Sequence, residues 1–379
     1  MKVLLFIETG GPGGAERVVS MLAQALPLRH IETDVLTFRT GWLTEQLQRQ
    51  HTRHIRIATA RRFDIALPFR IARVLRSGAY DVLHSHLLDS NFYGALAAKI
   101  AGVPHVATEH GDVHHIEGKN FARLKVRSVG LLGSFVTAVS RHTLEKLFDF
   151  GIPPERAQVV GNPIAFAAAD AEVRTAKRRE LQISSTTWVW LHAANLRPVK
   201  DQATLLRGFA HSLKSLRRSP SDRTIDPLLL IAGDGKGRGA LEELAVELGI
   251  AERVHFLGFR QDIPELIAAA DGFVLSSLSE AMPMSLLEAA SAGLVVAASS
   301  VGGIPEVVRD GDSGFLFPAG DWKALGTILS KATHDREQAS VMSRRLQQWV
   351  HSNCSVDAVV EQYATLYNRL CSEHPGSKG

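Results

Sequence analysis

Short apolar runs recur along this chain, each ending in a polar or glycine-rich stretch that opens a longer segment with helical spacing. MKVLLFIE reads as a first strand, and the glycine-rich TGGPGGAE leads from it into the amphipathic ERVVSMLAQAL. TDVLTF is a second strand. A polar, arginine-rich region follows, and then AYDVLHSH, VPHVATEHG, SFVTAVS and AQVVGNP continue the alternation, with the alanine-rich helix SNFYGALAAKIAG among them. Short apolar strands alternating with helices predict βαβ units, hence parallel sheets with helices on both faces.

The alternation pauses between Asn162 and about Thr187, where AFAAADAEVRTAKRRE reads as a linker carrying one helix. It restarts at WVWLHAANL and runs on through PLLLIAG, RVHFLGF and GFVLSS, and residues 322–370 read as helical. We therefore expect an α/β chain of two Rossmann-like domains, 1–164 and 165–350, followed by a helix and tail over 351–379. A length of 379 residues agrees with two domains.

Composition narrows the class. With 45% apolar and 22% charged residues the chain is an ordinary globular protein. The apolar run before Glu8 is too short for a signal-peptide core, and no run reaches the ~18 residues that span a bilayer. VGLLGSFVTAV, the longest candidate, is broken by glycines and reads as a helix end plus a core strand. Two cysteines, Cys354 and Cys371, form no disulfide framework, which fits a reducing cytosol. Peripheral attachment to the inner face of a membrane stays open.

The net charge is only +4, but its distribution is uneven. Arg53, Arg56, Arg61, Arg62, Arg70, Arg73 and Arg76 face a single acidic residue, Asp64, between positions 53 and 76. Lys119, Arg123, Lys125 and Arg127 interleave with Phe121, Leu124 and Val126. Such surface suits anionic lipid or a phosphorylated acceptor, or is a solvated helix face. No nucleic-acid reader motif accompanies it.

Chemistry concentrates in loops that follow strands. Glu280 falls between the strand GFVLSS and an apolar helix that turns in at Pro283, which suits a first helical turn; Glu288 is expected about two turns in. The amides of Met282, Met284 and Ser285 lie at that helix start, where free N–H groups and the dipole favour an anion. After WVWLHAA, Arg197 and Lys200 sit at a strand's C-terminal end, where open α/β sheets bind ligands. Fixed cations there stabilise a leaving diphosphate more in the transition state than in the ground state. In the first loop, Gly13 and Gly14 let backbone approach a ligand. A dinucleotide fold is the rival, but the GxGxxG spacing fails at Glu16, and Asp34 precedes its strand instead of ending it. GDGKG around Gly235 lacks the ending of a phosphate-binding P-loop. His110 and His114 have metal-ligand spacing if helical, but the glycine and aspartate after His110 argue for a loop, and we expect no metal. His84 and His86 read as ordinary strand-end residues.

The block from 271 to 321 joins Glu280 and Glu288 to LVVAAS, Gly302-Gly303-Ile304-Pro305-Glu306, Gly311-Asp312-Ser313-Gly314 and Asp321. It resembles the donor-binding signature of retaining glycosyltransferases of family 4, and the resemblance runs over most of residues 1–370. Two departures stand out: Ala281 where the family usually has glycine, and Asn195 where it often has arginine.

The resemblance implies a GT-B fold, two Rossmann-like domains facing a central cleft, with the last helix crossing back to the first domain. It implies a nucleotide-sugar donor, a UDP-sugar by expectation, and a glycan or lipid-linked acceptor in envelope or exopolysaccharide synthesis. Glu288 would hold ribose hydroxyls, and the amides from Met282 to Ser285 with Lys200 and Arg197 the diphosphate. Glu280 would lie by the sugar and His110 would position sugar and acceptor. Gly13 and Gly14 would face the diphosphate or acceptor, Gly235 would turn beneath the nucleotide, and the loop at Arg260 would receive the base. No cofactor or metal is implied. A sugar-nucleotide epimerase or hydrolase on the same fold, or a silent nucleotide-sugar scaffold, are the alternatives.

Overall fold

The computed structural model of the chain describes residues 1–59, 64–111, 120–166, 170–218 and 227–374. The chain divides into two compact units: Met1–Pro163 with Cys354–Gly379, and Ile164–Asn353.

The first unit is built on strands β1 (Lys2–Ile7), β2 (Glu32–Thr37), β3 (His54–Arg56), β4 (Val82–His86), β5 (His105–Glu109), β6 (Phe135–Ala138) and β7 (Ala157–Val159). They form one sheet in the order β3-β2-β1-β4-β5-β6-β7, and every pair is parallel. Helices α1 (Gly14–Ala25), α2 (Trp42–Arg49), α3 (Leu67–Ser77), α4 (Leu88–Ala101), α5 (Asn120–Leu131) and α6 (Arg141–Asp149) are the crossovers. α4 packs against both α3 and α5. It ends where Gly102 takes a φ of +77°, a left-handed conformation that suits glycine, and the Gly102 and Val103 amides return to the Ala98 carbonyl. Ser140 caps α6 by accepting the Thr143 amide.

The second unit starts with α7 (Ala171–Glu180). Its sheet contains β8 (Val189–Ala193), β9 (Leu228–Ala232), β10 (Val254–Gly258), β11 (Gly272–Leu275), β12 (Val295–Ser299) and β13 (Phe315–Phe317) in the order β10-β9-β8-β11-β12-β13. Again all pairs are parallel. Helices α8 (Gln202–Arg218), α9 (Arg238–Glu247), α10 (Ile263–Ala269), α11 (Met284–Ser291), α12 (Ile304–Val307), α13 (Trp322–His334) and α14 (Arg336–Cys354) complete it. The last helix, α15 (Val356–Glu373), belongs to the first unit and packs on α1.

Each sheet has its own core. Leu4, Phe6, Leu36, Leu83 and Ile71 are buried together in the first unit; Trp190, Phe209, Leu229, Ile231 and Val274 in the second. The near-continuous apolar strands follow from this, since a parallel sheet covered on both faces has no solvent side. Among the described residues, no helix is long and apolar enough to cross a membrane.

Several expectations are corrected. Asp34 does not precede β2; it is the strand's third residue, buried, and accepts the Tyr80 hydroxyl at 2.5 Å. Pro283 is the N-cap of α11, not part of its first turn, and Glu288 is the fifth helical residue, one turn in. The arginine-rich stretch holds β3 and α3. Arg61, Arg62, His114, His115 and Lys119 lie outside the described residues.

Candidate active site

In an open parallel sheet, ligands bind beyond the carboxyl ends of the strands, where the strand order reverses. In the second unit that reversal lies between β8 and β11. The loop after β8 carries Arg197 and Lys200, and the loop after β11 carries Glu280.

The two loops are sewn together. The Leu278 amide donates to the Val199 carbonyl at 2.8 Å, and the Ser276 hydroxyl lies 3.0 and 2.9 Å from the Lys200 and Asp201 carbonyls. Lys200 Nζ forms an ion pair with Glu280 Oε1, and the Ser277 hydroxyl donates to the same oxygen at 2.7 Å. Glu280 is only 9% exposed. Enclosing a carboxylate this far is costly unless partners of this kind satisfy it.

Glu280 is also held from below. Gly302 has a φ of +55°, and a side chain there would overlap the Glu280 carbonyl oxygen; the Gly303 amide reaches the same oxygen at 3.4 Å. The GGIPE segment thus lies against the Glu280 backbone, which glycine alone allows. Ala281 keeps negative φ, so the loop needs no glycine at that position.

The other residues expected from sequence to bind the donor lie in segments that follow strands of the same sheet. Met282 is buried, and Met284 and Ser285 open α11, whose first amides have no partner within the helix. Glu288 is half-buried on that helix. Gly233 has a φ of +146°, and its turn lies on the loop after β8: side chains at Gly233 or Gly235 would overlap the carbonyls of Ala194 or Leu196. The Gly233 amide donates to the Gly258 carbonyl at 2.8 Å, tying in the loop after β10. Arg197 is exposed. The Arg260 guanidinium pairs with Asp262 and Glu180, which holds its pKa above the ordinary arginine value.

In the first unit the order reverses between β1 and β4. Gly13 caps α1, with the Glu16 carboxylate folded against it, and Gly14 is the first helical residue. Glu8, just past β1, bridges the reversal by accepting the backbone amide and, at 2.9 Å, the hydroxyl of Ser90. Burial, reinforced by Asp89, pushes its carboxyl up to about 7.

His110, just past β5, stands at one end of a stack of three imidazoles. Its Nε2 lies 2.8 Å from His86 Nδ1, with the rings stacked at 5.1 Å. His86 lies 4.2 Å from His84. His84 bonds to the Tyr367 hydroxyl of α15 at 2.6 Å and to Thr108 at 2.7 Å. His110 is half-buried, while His86 and His84 are fully enclosed. Burial holds His110 down at about 4, against an opposing hydrogen bond to Asn162, and keeps His84 and His86 well below the usual histidine range. All three are neutral at physiological pH.

His86 and Glu8 were not singled out from sequence. The alternation in His84-Ser85-His86 was the available signal, because period two puts both rings on one face of the strand. For Glu8 it was a carboxylate closing an apolar strand at its ligand-binding end.

Comparison with known proteins agrees with this architecture. Residues 12–167 match the family model described as Glycosyltransferase Family 4, and residues 173–349 the model described as Glycosyl transferases group 1. A Bacillus anthracis protein named N-acetyl-alpha-D-glucosaminyl L-malate synthase is 29% identical over 83% of this chain and 82% of its own length. An Escherichia coli protein named UDP-Gal:alpha-D-GlcNAc-diphosphoundecaprenol alpha-1,3-galactosyltransferase is 24% identical over 93% of each. The Anabaena protein HepE, solved in complex with UDP, superposes with a TM-score of 0.83 at 24% identity, over 97% of this chain and 100% of that one. Two parallel-sheet Rossmann-like units place the chain in the GT-B class of glycosyltransferases. Within that class, it belongs to the family 4 glycosyltransferases.

Proposed function

We propose that this glycosyltransferase is a retaining enzyme that moves a sugar from a nucleotide-sugar, a UDP-sugar, to a glycan or lipid-linked acceptor in envelope or exopolysaccharide synthesis. The observation that carries the reading is the meeting of Lys200 and Glu280 at the strand-order reversal of the second sheet. It brings a cation suited to a diphosphate and a carboxylate suited to sugar hydroxyls to one point. The names of the Bacillus and Escherichia relatives support an N-acetylhexosamine- or hexose-type donor and a small-acid or diphospholipid acceptor.

In this reading Glu288 accepts hydrogen bonds from ribose hydroxyls. Lys200, Arg197 and the α11 N-terminus hold the diphosphate and supply the charge a metal would otherwise bring. The acceptor oxygen attacks the anomeric carbon on the face from which the diphosphate leaves. The carbon–phosphate-oxygen bond breaks as the new glycosidic bond forms, and the acceptor proton passes to a phosphate oxygen. Glu280 orients the sugar, and Gly13, His110 and the surface of the first unit serve the acceptor.

The enzyme would work in the cytoplasm, against the inner face of the membrane. The apolar exposure of α3 and α5 supports this: Phe69 is 62% exposed, Leu124 57% and Leu131 77%, beside the exposed Arg73, Arg123 and Arg127. Arg53, Arg70 and Arg76 contribute less, being engaged with Asp34, Asp64 and the Ile100 carbonyl.

The deciding experiment is a donor screen that follows nucleoside diphosphate release with and without lipid-linked acceptor, with NMR of the product. Retention makes an α-linked donor yield an α-linked product, and EDTA leaves the rate unchanged. An inverted linkage, or metal-dependent activity, would overturn the mechanism. Turnover without acceptor would replace it with hydrolysis or epimerisation.

A further inference from the structure

We propose that His86 is a positioning residue that fixes the tautomer of His110: it donates its Nδ1–H to His110 Nε2, so that His110 carries its own proton on Nδ1. The role this gives His110 rests on the reading above, in which His110 touches sugar or acceptor.

The assignment follows from where His86 can keep a proton. His86 is 0% exposed, and its Nε2 has no hydrogen-bond partner among the described residues. Its Nδ1 has one, His110 Nε2 at 2.8 Å. A neutral imidazole has one N–H and one lone pair. A buried N–H with no acceptor is the rarer and costlier orphan, so the proton belongs on the nitrogen that has a partner. His86 Nδ1 is then the donor, His110 Nε2 the acceptor, and the remaining proton of His110 sits on Nδ1.

Two further features hold this direction. Burial lowers the pKa of both rings and keeps them neutral at physiological pH, so the shared bond has a single proton to place. On the far side of His86, His84 spends both its nitrogens on hydroxyl groups, those of Tyr367 and Thr108. A hydroxyl donates or accepts as required, so His84 imposes no tautomer on its neighbour. His84 instead walls His86 in at 4.2 Å, and Tyr363 lies 4.8 Å from His84. The C-terminal helix α15, which supplies both tyrosines, thereby backs the stack that ends at His110.

The chemical consequence is specific. An imidazole held as the Nδ1–H form, with its lone pair already occupied by His86, has only its Nδ1–H to offer, and a hydroxyl or phosphate oxygen would take that proton's hydrogen bond in place of Asn162, the other partner of His110. It cannot take the acceptor's proton at Nε2. His110 therefore orients an oxygen and does not act as a general base.

Long-range nitrogen–proton NMR of histidine-labelled full-length protein reads the tautomer directly. Nδ1-protonated His110 is expected; an Nε2-protonated His110 overturns the proposal whatever the activity. His86→Asn puts an amide N–H close to where the imidazole Nδ1–H was, whereas His86→Leu removes it. His86→Asn should retain most of kcat and the same His110 tautomer. His86→Leu should lower kcat roughly tenfold, the scale of one lost hydrogen bond, with the KM for donor little changed. Equal loss in both variants with the His110 tautomer unchanged would also overturn it. His110→Ala separates the two levels: full activity there removes His110 from the reaction, while the NMR result still decides what His86 does.

Discussion

Lys200 and Glu280 are eighty positions apart in sequence, yet their side chains pair across the point where the second sheet reverses its strand order. In the free protein each neutralises the other. In the proposed reaction a bound diphosphate would draw Lys200 toward itself, and Glu280 would keep the Ser277 hydroxyl as a partner. Lys200→Ala should therefore have two effects. Turnover should fall ~10²–10³-fold, the usual scale for one electrostatic donor to a developing anion. The free protein should also melt earlier, because a nearly enclosed carboxylate loses its cation. Adding Glu280→Gln should restore part of the melting temperature and none of the turnover. A double variant that melts below Lys200→Ala would show that the pair is not what holds this loop.

Glu288 tests the nucleotide end of the site. Glu288→Ala should leave the fold intact and weaken donor and free nucleoside diphosphate alike, by roughly tenfold or more for one charged hydrogen bond. Calorimetry with the free nucleotide isolates this from chemistry. Unchanged affinity would take Glu288 out of the site.

Much of this was legible in the sequence because parallel strands covered on both faces are plain apolar runs, and loops at their carboxyl ends carry the charged residues. Glu280 and Lys200 fall in such loops, while His110 follows from the family resemblance. Their partners were not legible. The Lys200–Glu280 pair depends on β8 and β11 being neighbours, which is a property of strand order and leaves no trace in spacing. His86 looked like any strand end, since its importance comes from a partner 24 residues away. β3 and β13 are three residues each; β7 is as short, but it runs into the apolar pair Val159-Val160, which marks it in the sequence. Glu288 lies two turns from Glu280 only if the whole segment between them is helical, whereas α11 starts at Met284 and leaves it one turn in.

Gly302 should tolerate no side chain. Gly302→Ala demands a left-handed alanine and overlaps the Glu280 carbonyl oxygen, so the loop has to move. We expect kcat to fall while the thermal midpoint changes modestly, because the displaced segment is the Glu280 loop and not the core. Gly311→Ala is the control: it shares positive φ at +72° but meets nothing nearby. Equal kcat losses in the two variants would mean that backbone strain, not the position of Glu280, is responsible.

The exposed apolar and basic residues of α3 and α5 should bind vesicles containing acidic lipid. Exposed charge is screened over about 10 Å at 0.1 M salt, so binding should weaken as salt rises. Leu124→Ser with Leu131→Ser should reduce binding without altering the salt dependence, and Arg123→Glu with Arg127→Glu should abolish the preference for acidic lipid. Equal binding to neutral and acidic vesicles, or none to either, would count against a membrane role for this surface.

Stability should peak near neutral pH, because two sets of buried groups oppose each other. His105 is held down at about 3, and His110 and His192 at about 4, all by burial; His84 and His86 are lowered for the same reason. The folded state thus binds fewer protons than the unfolded chain below the ordinary histidine value of 6.5, and each histidine's contribution, complete above 6.5, is lost as pH falls toward its folded value. Glu8 acts in the other direction. Its folded value of about 7 exceeds the ordinary 4.5, so the folded state holds a proton that the unfolded chain releases, and its contribution is lost as pH rises from 4.5 through 7. Five histidines outweigh one carboxyl in acid, which makes the acid limb steep. Glu8→Gln keeps the hydrogen-bonding shape and removes the charge. Its thermal midpoint should exceed that of the parent at pH 8, and the gap should close toward pH 5. A gap of constant size across that range would mean that Glu8 is not the group titrating.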